Sequence, residues 1–132
     1  MNNTNQEFKF FWVVALRSEA NALIKKFNLK SFSNYCNFPI YINRKNGHAL
    51  VISGVGSIKS AVATMYLNKT FNPGQFVAWI NIGIAGHFQG PVGTLFQAIK
   101  VVNNDNGKSF FPGLRFSKLA KAAELYTVSS PE

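Results

Sequence analysis

Phe8-Lys9-Phe10-Phe11-Trp12-Val13-Val14-Ala15-Leu16, followed at once by Arg17-Ser18-Glu19-Ala20, is the stretch that sets the fold class. The first nine residues are almost continuously apolar, of strand length and rich in aromatic and β-branched types, which reads as a strand buried on both faces. Ser18 then offers an N-cap oxygen. Ala20, Leu23, Ile24 and Phe27 recur at helical spacing, with Lys25 and Lys26 near the end that favours cations. A buried strand running directly into an amphipathic helix is the unit from which α/β proteins are built.

The same alternation continues outward. Tyr35 to Arg44 reads as a strand turned by Lys45-Asn46-Gly47 into another at His48 to Ser53, a hairpin signature. Gly54-Val55-Gly56-Ser57 interrupts the pattern. Ile58, Ala61, Val62, Met65, Tyr66 and Phe71 then mark a helix that ends near Asn72-Pro73-Gly74. Phe76 to Ile82 is expected as a strand, 83 to 93 as a loop and Thr94 to Val102 as a further strand. After a turn at Asn103 to Gly107, a short helix is expected over Phe116 to Ala123 and a last strand over Leu125 to Ser129. The expected fold is α/β, a mixed β-sheet flanked by helices.

Composition narrows the function classes. A length of 132 residues fits one compact domain, here 8–132 behind a polar, disordered 1–7. A hydrophobic fraction of 47% against 14% charged residues describes a chain that folds. Fourteen Lys and Arg face only five carboxylates, a net charge of +9. Most of these cations are scattered singly, so solvated basic faces explain them better than a nucleic-acid surface. The lone Cys36 excludes an intramolecular disulfide and a cysteine-based zinc site, and points to a reducing, cytoplasmic setting. No apolar run approaches the roughly 20 residues of a membrane-spanning helix.

Three segments could carry chemistry. Ser53-Gly54-Val55-Gly56-Ser57 lies between a strand and a helix, where glycines let the backbone approach a ligand and helix amides favour an anion or a sugar. Taken alone, the motif is more commonly a plain tight strand-to-helix turn. Lys59 at the third glycine position argues against a dinucleotide site, and the spacing is not that of a P-loop. Asn81-Ile82-Gly83-Ile84-Ala85-Gly86 follows a strongly apolar strand, where open α/β sheets gather ligands, and taken alone reads equally as a close-packed loop. Glu19 lies just past the first strand and is the only carboxylate between Glu7 and Asp105. It could orient or activate a water, or simply place a favourable charge in a helix first turn. His87 is a single loop histidine, weak evidence for a catalytic base, and His48 reads as a strand residue.

In order and spacing, Val13-Val14-Ala15-Leu16-Arg17-Ser18-Glu19-Ala20, Ile52-Ser53-Gly54-Val55-Gly56 and Asn81-Ile82-Gly83-Ile84-Ala85-Gly86 resemble successive signatures of the nucleoside phosphorylase and nucleosidase superfamily. Pro91-Val92-Gly93-Thr94-Leu95 is similar to the family's valine-glycine-aspartate approach to its next strand. The resemblance covers roughly residues 8 to 130 and implies an incomplete, C-terminally truncated phosphorylase-like domain. Family enzymes cleave the bond between a purine-type base and ribose, phosphorylases with phosphate as co-substrate and nucleosidases with water, and use no cofactor. By this resemblance Glu19 would hold and activate the water, Leu16 and Val55 would pack beside the ribose, and Ala85 and Gly86 would line base and sugar. Ile84 stands where several nucleosidases have serine.

Family members also have a methionine-glutamate segment after a strand matched here by Tyr126-Thr127-Val128, and later an aspartate that protonates the leaving base. Neither has a counterpart among the 132 residues. The resemblance therefore implies either an enzyme completed by a complementary C-terminal part or by self-association, or a non-catalytic nucleoside-binding or interaction domain, or an inactive remnant.

Overall fold

A computed structural model describes residues 8–33, 38–87, 90–113 and 120–129. The tail expected at 1–7, and Cys36, lie outside the described residues. The length alone points to one domain. By internal contacts the chain forms two compact units, Met1–Ala85 and Gly86–Glu132.

The first unit contains a five-stranded sheet and two helices. Its elements are β1 (Phe10–Val14), α1 (Arg17–Lys26), β2 (Lys30–Ser33), β3 (Ile40–Asn43), β4 (His48–Ile52), α2 (Ser57–Phe71) and β5 (Ala78–Ile82). The strand order is β2-β3-β4-β1-β5, with β1 parallel to both β4 and β5 and the β2-β3-β4 meander antiparallel. This is the expected mixed sheet.

The alternation along β1 explains why two helices are needed. Phe11 and Val13 point into one cluster with Ala49 and Val51 of β4, Ile40 of β3, and Ala63 and Leu67 of α2. Val14 points the other way, with Leu50, Ala20 of α1 and Leu29, and Trp12, Leu23, Ile24 and Phe27 close around them. Successive side chains of a strand face opposite sides, so a sheet whose central strand is apolar on both faces must be covered twice. Phe11, Val14, Leu50, Val51 and Leu67 are fully buried as a result.

Local chemistry sets the element ends. Gly47, at φ 72°, closes the β3–β4 hairpin through its amide to the Arg44 carbonyl at 3.2 Å. Asn72 ends α2 in the left-handed conformation, its amide on the Asn68 carbonyl. One expectation is corrected at the start of α1. Leu16, extended at φ −117° and ψ 147°, is the N-cap, and Ser18 lies inside the first turn. Leu16 has no side-chain acceptor, so the reciprocal half of a capping box does the work: Glu19, at N3, accepts the Leu16 amide at 3.0 Å.

The second unit holds a three-stranded sheet ordered β7-β6-β8, from β6 (Phe96–Asn103), β7 (Ser109–Phe110) and β8 (Lys121–Thr127). The helix expected over Phe116 to Ala123 lies partly outside the described residues, but its last three residues are strand. Lys121, Ala122 and Ala123 pair in parallel with Phe96, Gln97 and Ala98, and sheet pairing overrides the helical preference of alanine. The last strand therefore starts earlier than Leu125.

Candidate functional site

The parallel registers decide where the three sequence segments go. Val14 pairs with Ile52 on one side and Ile82 on the other, so β1, β4 and β5 all end at the same edge of the sheet. From that edge leave Ala15–Leu16, the turn 53–56 and the loop 83–85. Two backbone bonds knit the first pair of loops together: the Ser53 amide donates to the Val14 carbonyl at 2.8 Å and the Gly54 amide to the Ala15 carbonyl at 3.0 Å. Ser53 is itself buried, its hydroxyl donating to the Gly54 carbonyl at 2.8 Å. Asn81 ties β5 to β1, donating from its side chain to the Val13 carbonyl at 3.2 Å.

Glu19 is the focus of this edge. It is half-buried in the first turn of α1. Its Oε2 accepts the Leu16 amide at 3.0 Å and its Oε1 accepts the Ile84 amide at 2.9 Å, across 65 positions of sequence. Glu19 therefore caps its own helix and is also fixed at the carboxyl end of the central strands. Beside it lies an open depression of about 230 Å³ lined by Ser18, Glu19, Ile82, Gly83 and Ile84.

The sequence-predicted residues distribute unevenly around this depression. Glu19 and Ile84 line it, and Leu16 contributes its backbone amide rather than its side chain. Val55 leaves the same sheet edge but is 65% exposed and is not among the lining residues. Ala85 follows the lining segment without joining it, and Gly86 begins the second unit. Of the other lining residues, Ser18 enters the sequence reading as an N-cap and not as a site residue, and Ile82 and Gly83 enter it only as members of the glycine-containing segment. Their signal was position alone: they neighbour a strand's carboxyl end or a helix start.

Other polar candidates serve elsewhere. Arg17 donates from Nε to Asn21 at 2.9 Å, bonds the Tyr41 hydroxyl, and lies over the Tyr41 ring at 4.7 Å. His48 is buried in β4, stacked on Phe27 at 4.2 Å and Phe10 at 4.9 Å. Burial holds its pKa below the ordinary value. His87 meets the edge of Phe96 at 4.5 Å. Among the described residues, no group of three or more His, Cys, Asp and Glu is placed to hold a metal ion.

A mixed sheet covered by helices, with glycine-bearing loops and one anchored carboxylate at the carboxyl edge of its parallel strands, is an α/β architecture. In particular, the chain folds like solved 5'-methylthioadenosine/S-adenosylhomocysteine nucleosidases over most of its length. Superposition on the 5'-methylthioadenosine nucleosidase of Arabidopsis thaliana in apo form gives a TM-score of 0.80, with 20% identity over 94% of this chain and 64% of that one. The S. pneumoniae nucleosidase with the transition-state inhibitor MT-ImmA gives 0.74, with 20% identity over 93% and 65% of the two chains. The Colwellia psychrerythraea nucleosidase in complex with adenine gives 0.71, with 20% identity over 94% and 63%. The chain thus spans less than two thirds of the length of these structures. In sequence it matches no family model and no curated protein.

Proposed function

We propose that this chain carries the water side of an N-glycosidic bond-cleaving site for a purine-type nucleoside, with Glu19 as the carboxylate that holds and polarises the attacking water. The observation that carries this reading is the anchoring of Glu19: two backbone amides fix its oxygens at the lip of a depression on the carboxyl edge of β1 and β5. Support comes from the shared fold and from neighbours solved with adenine and with MT-ImmA.

The chemistry follows from the group present. Departure of the base leaves positive charge on the ribose, which a fixed carboxylate stabilises, and the same carboxylate can accept a proton from the incoming water. Phosphate would take the place of water in a phosphorylase, and neither route needs a cofactor. The depression, at about 230 Å³, is below the ~300–1,000 Å³ of typical small-molecule pockets, so it suits the sugar side of a nucleoside rather than the whole. Glu19 is the only carboxylate among its lining residues. A general acid for the departing base, typically contributing about 10²- to 10⁴-fold, therefore comes from outside this lining.

That observation favours a second reading, nucleoside binding without turnover by this chain alone. A cytoplasmic location and association with another chain accompany either reading. No helix among the described residues is long and apolar enough to cross a membrane.

Calorimetric titration with adenosine, inosine and methylthioadenosine tests the proposal. Binding of at least one, weakened about 10- to 100-fold by Glu19→Gln through loss of a charge-assisted hydrogen bond, is the expected result. Failure of all three to bind would overturn it.

A further inference from the structure

The Glu19 carboxylate is held from two directions. One amide, Leu16, belongs to the start of its own helix; the other, Ile84, belongs to the loop leaving β5. A glutamate held only by the helix would keep much of its rotamer freedom. The second amide removes that freedom by tying the carboxylate to the sheet.

What lets the loop come so close is Gly83. A Cβ at this position would lie 3.3 Å from Glu19 Oε1 and 3.8 Å from its carboxyl carbon, and Oε1 is the oxygen that receives the Ile84 amide. Gly83 is not among the residues at positive φ, so its backbone tolerates a side chain; the constraint is the approach of the carboxylate. Gly86, by contrast, has open space where a Cβ would go.

We infer that Gly83 is a positioning residue: its missing side chain seats the Ile84 amide on Glu19 Oε1, so the β5 loop sets the direction in which the carboxylate's free lone pairs face. An ionised carboxylate offers about four acceptor sites. Two are occupied by amides, and the rest are left for a water or a sugar hydroxyl. The catalytic meaning of this arrangement rests on the nucleosidase reading, whereas the seating itself does not.

The experiment is a pH titration followed through backbone amide resonances of the full chain, combined with methylthioadenosine calorimetry. In the wild type the Leu16 and Ile84 amides should shift together as the carboxylate they share takes up a proton, and Glu19→Gln should abolish both transitions. Gly83→Ala should abolish the Ile84 transition while sparing that of Leu16, and should weaken methylthioadenosine binding by about tenfold or more, as small misplacements of a positioned group do. An Ile84 amide that still titrates with Leu16 in Gly83→Ala would overturn the assignment. Loss of both transitions in that variant would also overturn it, because alanine would then disturb the helix cap rather than the loop alone. If Gly83→Ala does not fold, Glu19→Asp supplies the same test: the shorter side chain should lose the Ile84 transition, and retention would refute the seating. A wild type showing both transitions but binding no nucleoside would support the seating and sink the nucleosidase reading.

Discussion

Protonation of His48 should unlock the core of the first unit, and its cost can be worked from the contacts around the ring. His48 is 8% exposed, stacked at 4.2 Å on Phe27 and 4.9 Å on Phe10, and its Nδ1 accepts the Trp12 indole N–H at 3.0 Å. A proton on Nδ1 would set two donors against each other. Burial holds the folded pKa below the unfolded value of 6.5, so between the two the unfolded chain binds more protons. The contribution is therefore fully present above pH 6.5 and is lost as pH falls through the folded pKa, with a slope of at most about 1.4 kcal/mol per pH unit for one proton.

Truncation gives the second magnitude. His48→Ala removes the two closest of its three stacked ring contacts, those with Phe27 and Phe10, at about 0.5–1.5 kcal/mol each, and leaves the half-buried Trp12 N–H without its acceptor, toward the low end of about 1–3 kcal/mol. The expected loss is about 2–4 kcal/mol. His48→Phe should keep the stacking, lose less, and flatten the pH dependence. Urea unfolding followed by tryptophan fluorescence at pH 8 and pH 5.5 reads both quantities. An equal decline in stability between those pH values for wild type and His48→Phe would refute the reasoning.

Leu67, fully buried where α2 meets the sheet, should cost about 2–5 kcal/mol when replaced by alanine, measured by the same urea titration. Ile58, Val62 and Met65 are 80%, 50% and 57% exposed and recur at i, i+4 and i+7 on α2, opposite its buried Ala63 and Leu67. A helix apolar on both faces normally has both covered. Sedimentation at micromolar concentrations should therefore show association, reduced when the three are changed together to glutamine; a clean monomer would count against it.

The layered core was legible because its signals are redundant. The β1 stretch is apolar on both faces, and the Lys45-Asn46-Gly47 turn and the Asn72 terminus carry their own conformational signatures. What escaped depended on partners distant in sequence. Lys30–Ser33 is too short and polar to read as a strand, and exists by pairing with β3. Lys121–Ala123 looks helical until β6 is beside it. Ser18 looked like the cap because the rule favours serine, whereas the bond to the Leu16 amide comes from Glu19.

The site followed the same division. Glu19 stood out by its isolation among basic and apolar residues, and the glycine segments stood out by their place after strands. The Ile84 amide on Glu19, and the space Gly83 leaves for it, depend on a contact across 65 residues. No local pattern encodes it.

Methylthioadenosine should therefore be added to the labelled chain while every backbone amide is followed. Shifts concentrated at Leu16, Ser18, Glu19, Gly83 and Ile84, and absent in Glu19→Gln, are the result expected of a nucleoside site built on the anchored carboxylate. Saturable shifts elsewhere with these five unmoved would contradict it.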